Sequence, residues 1–574
     1  ARFPQTLYDN SEGLNRFTGS VTLNHRPSGW FSQRLIAGLD YSGADARALE
    51  KFAPPDLVGF ALANPAGLIG QTLAQTTVAT ADYSGTVKVD LSPSLTSSSS
   101  LGGQLYRTEI NQSFLGGMNF PGPGITTVSG AAIPLNSTQS QTINTTIGGY
   151  AQQVFGFANR LFITGALRID NNSAFGEKFK LITYPKVSAS WVIHEEPFWN
   201  VGFVNSLKLR AAYGESGRAP AAFTALRTYV PVQGPGGSNA FTAGSVGNEN
   251  LKPERGKETE VGFESQLFDR LSIDFTYYTK RTLDVIVAQA IAPSSGFFGN
   301  QFRNLGQVNN NGIELGTTLQ VLTGRKLGWE ISGNFSTAKN KIVNLGGLPT
   351  LIGATGQFNA VGYPIQGFFS RRVASATQDP TTGAVTNVLC DGGPGKPAVA
   401  CGAAPFVYLG TPAPTRTGAI ANTFTLFRHL RLYALVDWRG GHVLRNANEL
   451  LRCTGALGGG LCDVNYNPKN YSATYVAQAS LLVAFAQNAQ DQFIQDASFV
   501  KLREVSATYT IPERFARGFK HASFTVSGRE LALWSDYNGP DPEVRTGGGN
   551  SLFGLDQGLI PPLSRLTATL NLTF

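Results

Sequence analysis

Charge is scarce in this chain. Asp, Glu, Lys and Arg make up only 15% of its 574 residues, against roughly a quarter in an ordinary soluble domain. The formal excess of +8 is spread thinly, without the Lys/Arg runs of a nucleic-acid surface, so no nucleic-acid partner is expected. No run of about 18 apolar residues occurs, which excludes a transmembrane helix. The five histidines, His25, His194, His429, His442 and His521, lie far apart and none has metal-ligand spacing. There is no GxSxG elbow, P-loop or HExxH. The Glu195-Glu196 pair sits beside turn residues and reads as a solvated turn. Asp536, Asp541 and Glu543 lack the alternating ligands and closing Glu of an EF-hand and read as loop carboxylates. These gaps argue against an enzyme and imply no cofactor and no metal.

What the chain has is alternation. From Arg565 to its end, Leu566, Ala568, Leu570, Leu572 and Phe574 fall on one side, and Arg565, Thr567, Thr569, Asn571 and Thr573 on the other. A strand has a side-chain period of two, so this segment has one apolar face and one wet face. Leu271 to Tyr278 repeats the pattern, as do Trp30–Tyr41, Ala81–Leu91, Leu161–Asp170 and Leu207–Gly214. In Leu430–Arg439, the residues Leu430, Leu432, Ala434, Val436 and Trp438 oppose Arg431, Tyr433, Asp437 and Arg439. Aliphatics that end in Trp or Tyr match a lipid-facing band with an aromatic girdle. A soluble β-sandwich would alternate too.

The connections separate these readings. Short turns at 27–29, 92–94, 156–159, 268–270, 322–327 and 427–429 alternate with long loops at about 42–76, 109–138, 217–256, 286–307, 343–412, 443–496 and 535–562. Outer-membrane barrels have short periplasmic turns and long extracellular loops. The expected fold is therefore all-β, a transmembrane antiparallel β-barrel. Directions are counted back from an inward final strand: Ala522–Trp534 outward, Ser498–Thr510 inward, Leu430–His442 outward, Thr415–Phe427 inward. Parity then places Gly362–Arg371 inside one outer loop and leaves about 17 wall strands, the first being Leu14–Arg26. An even-stranded barrel needs further strands ahead of it. The opening Ala1-Arg2-Phe3-Pro4, without Met or signal segment, fits the same expectation of a missing beginning. The final strand is then expected to lack its closing neighbour.

Four cysteines form two close pairs in Gly-rich stretches, Cys390 with Cys401 and Cys453 with Cys462. Two local disulfides suit an exported protein, and reduced loop cysteines are the alternative. The wet strand faces nominate Arg168, Asp170, Lys208, Arg210, Tyr278, Lys280, Arg431, Tyr433, Asp437 and Arg439 as lumen- or substrate-facing. A polar lumen with a few rings suits sugars or peptides, which need hydrogen bonds and stacking. Such charges equally serve to solvate a channel or to grip a plug. The loop aromatics Phe297, Phe298, Phe302, Phe358, Phe368 and Phe369 are candidates for ligand contact or for loop packing.

Several stretches resemble the SusC/RagA family of TonB-dependent outer-membrane transporters. They are Asn248-Glu249-Asn250-Leu251-Lys252-Pro253-Glu254, Asn310-Asn311-Gly312-Ile313-Glu314-Leu315, the run from Phe493 to Val505, and Ser527 to Tyr537 followed by Gly539-Pro540-Asp541-Pro542-Glu543-Val544. Tyr184 to Trp191 is the best stretch of the N-terminal part. The resemblance implies the barrel portion of an importer of oligosaccharides or peptides. It implies about 17 of a presumed 22 wall strands, with a plug and TonB box missing from this sequence. The implied partners are TonB, a SusD-like surface lipoprotein and outer-membrane lipid, in the outer membrane of a Gram-negative-type bacterium. Leu566, Leu570, Leu572 and Phe574 resemble a C-terminal assembly signal. A passive porin-like barrel and a secreted all-β glycan-binding protein are the rival readings.

Overall fold

The computed structural model describes residues 7–54, 64–135, 137–176, 181–297, 299–353, 356–454, 460–480, 482–486, 488–512, 514–515, 518–546 and 554–573. Phe298, Phe574 and the Gly455–Gly459 stretch lie outside them. Two compact units divide the chain: Ala1–Ala189 with Tyr213–Lys257 and Leu283–Leu305, and Ser190–Ala212 with Glu258–Thr282 and Gly306–Phe574. Both are built from long antiparallel strands. Seventeen described strands have nine residues or more, from Tyr8–His25 to Arg565–Thr573.

In the first unit, Tyr8–His25, Phe31–Glu50, Leu68–Ser92, Leu95–Met118, Thr138–Phe157 and Leu161–Asn172 pair in sequence order. In the second, Asn300–Thr323 pairs Leu327–Asn344 from Gln307 onward, followed in the same way by Arg416–Leu426, Leu430–Gly440, Phe499–Thr510, His521–Ser535 and Arg565–Thr573. Three short turns share one device. Ala158-Asn159, Phe268-Asp269 and Phe427-Arg428 are consecutive positive-φ pairs, each closed by an i to i+3 backbone bond of 2.9–3.1 Å. That is the I′-type hairpin geometry whose twist matches the strands it joins.

Several strands run further than the alternation predicts. Residues 42–50, 68–76 and 109–118, expected in loops, belong to ladders such as Glu50 with Leu68 and Leu68 with Met118. The first strand likewise starts at Tyr8 rather than Leu14. Leu68–Ser92 has 25 residues, whereas a tilted strand needs only about 9–11 to cross hydrocarbon. Beyond that band the faces no longer divide between lipid and water and the period-two signal fades; backbone pairing keeps the strand extended, and at its far end Leu49 and Ile69 pack with Phe120.

The faces of the second unit follow the alternation. Leu432, Ala434, Val505, Ala507, Val526 and Leu566 form a continuous apolar surface. Trp329 stacks on Phe424 at 5.3 Å at one end of this band, and its indole N–H donates to Asn422 at 3.3 Å. At the other end Phe335, Trp438 and Trp534 cluster. Gly418 lies under Trp438, where a Cβ would meet the indole at 2.2 Å. From Phe424 to Gly418 the strand advances roughly 20 Å, near the height of a lipid-facing band between aromatic girdles. Leu566 and Leu570 are 80% and 59% exposed. Tyr8–His25 pairs along its length with Phe31–Glu50, and Arg565–Thr573 with His521–Ser535.

Buried cores lie at the strand ends, where Leu49 and Ile69 pack with Phe120, and in the loops. Gly367–Ser370 sits, as parity required, outside the wall ladder, in a small sheet with Leu351–Ile352, Gln357–Asn359 and Val407–Gly410. Phe358, Tyr363, Phe369, Phe406 and Tyr408 pack together there at ring distances of 5.0–5.4 Å. Phe368 is fully buried, so these candidate aromatics pack against one another. Cys390–Cys401 and Cys453–Cys462 are both disulfide-bonded, each with Cα atoms 4.7 Å apart.

Candidate functional site

The polar face of the second unit carries most of the nominated residues, and the strands bring them together in clusters. Lys208 and Arg210 both meet Glu264, at 3.2 and 2.7 Å, and Arg210 also binds Asp274 and the Thr276 hydroxyl. Lys280 pairs Glu258 at 3.2 Å. The Tyr278 hydroxyl donates to the Thr337 carbonyl at 3.5 Å. In the first unit Arg168 binds Asp170 at 2.9 Å and Gln104 at 2.9 Å. These charges are compensated within the wall. Arg431 and Tyr433 differ, since the guanidinium lies 5.9 Å from the Tyr433 ring centroid and has no ion pair among the described residues.

Next to Tyr433, a groove of about 440 Å³ opens on the same face, lined by Ser272, Asp274, Thr318, Ser332 and Asn334. Ala419, Ala421 and Gly316 give it a low floor. Its size falls in the range of small-ligand sites, and hydroxyl, amide and carboxylate groups line it. No nucleophile–base pair lies among these groups, and no cluster of potential metal ligands occurs among the described residues.

The densest polar cluster surrounds Asp437 and Arg439 and was only half visible in the sequence. The Lys501 ammonium contacts Asp541 at 2.7 Å and Glu543 at 2.8 Å, and its side chain is 3% exposed. Arg503 grips Asp437 through two bonds of 2.7 and 2.9 Å, meets Glu530 at 3.1 Å and reaches Glu543 at 2.8 Å. Arg439 adds a third cation to Glu543, at 2.8 Å. Phe499 presents its ring to Arg439, Lys501 and Arg503 at 5.3–5.9 Å. Burial alone would raise the Glu543 carboxyl. Hydrogen bonds from Arg503 and Lys501, and their charges, outweigh it and hold the group down at about 2.

Backbone irregularity makes this cluster possible. The ladder between Phe499–Thr510 and His521–Ser535 slips between Leu502 and Glu504, and Glu530 has φ +52°. Such a bulge lets two consecutive residues share a face. Arg503 and Glu504 therefore both reach the polar side, where they meet Glu530 and Arg529 respectively. Asp541 and Glu543 are loop carboxylates, as the sequence reads, and they also clamp their loop to the wall. The Lys-x-Arg spacing on a strand was the available signal. Its acidic partners lie 27 to 66 residues away, beyond the reach of a periodicity argument.

The family described as TonB dependent receptor-like, beta-barrel matches residues 2–387. TonB-dependent receptor P3 of Formosa agariphila is 25% identical over 83% of this chain and 50% of its own length. TonB-dependent receptor SusC of Bacteroides thetaiotaomicron is 23% identical over 71% of this chain and 42% of its own. The chain thus spans half or less of these two relatives. Among solved structures, the RagAB peptide transporter superposes with a TM-score of 0.83 over 99% of this chain and 63% of that one, at 18% identity. That likeness is one of fold.

Proposed function

Because the chain belongs to the TonB-dependent receptor-like β-barrel family, we propose that it forms the barrel of an outer-membrane importer for oligosaccharides or peptides. The groove beside Tyr433 carries this reading. It is a polar, small-ligand-sized depression on the face opposite the apolar, Trp-flanked band. Sugars and peptides both present dense hydrogen-bonding groups, and Tyr433 adds a ring on which a pyranose or a side chain can lie. Leu432, Leu566 and Leu570 then face hydrocarbon, while Arg431 and Arg439 face the lumen. The peptide arm is supported by the fold shared with the RagAB peptide transporter, and the saccharide arm by the hydroxyl-, amide- and carboxylate-lined groove with the Tyr433 ring beside it.

Energy enters through TonB acting on the full-length protein, and a SusD-like lipoprotein presents the ligand at the extracellular loops. The resemblance of the Phe493–Val505 and Ser527–Val544 stretches to the SusC/RagA family supports both partners. The test is uptake of labelled oligosaccharide and peptide pools by cells that carry or lack the full-length gene. Uptake that needs the gene and stops on collapsing the proton gradient fits the importer. Gene-dependent uptake that persists without the gradient fits a passive pore instead. Affinity purification in mild detergent is expected to bring down a surface lipoprotein.

A further inference from the structure

We propose that a small cavity at Arg445, among the loop segments of the second unit, is a binding subsite for the carboxylate end of a ligand. Arg445 lies on Val443–Asn446, bonded on one side to Ile494–Asp496 and on the other, in parallel, to Leu555–Asp556. On this strand Leu444 is buried with Ala497 and Tyr537, and alternation turns Arg445 to the opposite face. There it lines a cavity of about 80 Å³ with Phe358, Phe369, Phe406, Ser370 and Gln490.

Arg445 is the one charged residue of that lining. Its Nε is buried without a hydrogen-bond partner, and its guanidinium makes no ion pair among the described residues. Arg439, Lys501 and Arg503, by contrast, each hold at least one carboxylate. Arg445 is half-buried, and a cation partly withdrawn from water without a counter-charge is costly, so an anion entering the cavity gains a charge-assisted bond and relieves that cost.

The walls define which anion. Phe358 and Phe369 stack at 5.1 Å with a 10° interplanar angle, and Phe406 meets Phe358 edge-on at 5.0 Å. The Ser370 hydroxyl is already engaged, accepting from the Gln490 backbone N–H at 2.7 Å and donating to the Asn488 backbone carbonyl at 2.9 Å. One guanidinium balances one negative charge, and its planar fork matches a planar carboxylate. A phosphate dianion would keep an uncompensated charge among apolar rings. Whole-ligand pockets run to about 300 Å³ or more, so this cavity takes an end group, such as a peptide C-terminus or the carboxylate of a uronic acid.

The choice of probes rests on the importer reading, but binding in detergent needs neither TonB nor a proton gradient. The full-length protein is titrated by calorimetry with Ala-Phe against Ala-Phe amide, and with digalacturonate against its methyl ester. We expect the acid of at least one pair to bind about 10- to 100-fold more tightly than its neutral partner. The favoured pair identifies the source of the carboxylate. The preference should vanish in Arg445→Gln and survive in part in Arg445→Lys. Equal affinities within both pairs, no binding by either acid, or a preference that persists in Arg445→Gln would overturn the assignment. The first comparison uses the unaltered protein, so a variant that fails to fold does not shelter the idea. Uptake that ignores the gradient would sink the transport reading and leave this one intact.

Discussion

Replacing Lys501 by Met tests whether the ion cluster docks the Asp536–Thr546 loop on the wall. Met keeps the stem and its packing and removes only the ammonium. Glu543 retains Arg503 and Arg439, but Asp541 loses its partner at 2.7 Å while its side chain is only 7% exposed. Breaking a buried pair from one side costs about 3–5 kcal/mol, because a bare charge is left behind. We therefore expect a local loss of about 3 kcal/mol, or roughly 100-fold faster hydrogen exchange of the docked loop. The reporters are the Glu543 amide, which donates to Asp541 at 2.9 Å, and the Val544 amide, which bonds the Asp541 carbonyl at 3.2 Å. The double variant Lys501→Met/Asp541→Asn removes the orphaned charge and should recover most of that protection. Unchanged exchange at both amides, or a double variant no better than the single one, would refute the reasoning.

Three further outcomes are expected. Leu432→Arg, on the apolar band, should cost roughly 2–4 kcal/mol in reversible unfolding from lipid vesicles, against little for Arg431→Leu on the opposite face. Replacing Cys390 and Cys401 by Ser opens a short loop, for which chain entropy gives about 3 kcal/mol; proteolysis should accelerate around Val373–Cys401 while the wall ladder stays protected. His442 is held at about 4, first by burial and then by Arg545 and Arg439, with Asp496 pulling the other way, and neither ring nitrogen has a hydrogen-bond partner. The opened state takes up a proton below about pH 6.5 and the docked state only below about 4, so stability of the 441–498 loop should fall by up to about 3 kcal/mol across that window and level off beneath it. His442→Phe should flatten the profile, as read by hydrogen exchange at Ala497, whose amide bonds the His442 carbonyl at 3.0 Å.

How much of this was legible depends on what surrounds each segment. Along Leu430–Gly440 the sequence alternation separated Leu432 and Ala434 on the apolar band from Tyr433 beside the groove; Leu435 departs from the pattern, since it lines the polar groove. The same rule gave no signal over Ser42–Glu50, which runs past the lipid-facing band and ends on the buried Leu49 and Glu50, although those residues pair as fully as any. The hairpin turns were found as short polar or Gly-flanked breaks. Their left-handed pairs, Phe268-Asp269 and Phe427-Arg428, were not foreseeable, since a bulky residue at positive φ is held there by the strands on either side. Asp437 and Arg439 were nominated from their face alone. That they share a cluster with Lys501, Arg503, Glu530, Asp541 and Glu543 depends on a ladder slip and a returning loop, which no local pattern encodes.

That slip explains why the cluster sits where it does. In a regular ladder Arg503 and Glu504 would point to opposite faces, and one of the two would enter the apolar band at several kcal/mol. A bulge at Leu502–Glu504, matched by the left-handed Glu530 across from it, turns both charges to the wet side. It falls toward the end of the strand where the Asp536–Thr546 loop returns, so Asp541 and Glu543 can reach Lys501 and Arg503 at 2.7–2.8 Å. The strained residue and the docked loop therefore depend on each other. Without the loop, Lys501 would be left with Glu530 at 3.9 Å as its nearest carboxylate, and without the bulge Arg503 could not hold Asp437, Glu530 and Glu543 together. The docking of this loop is thus tied to the wall strands through charge.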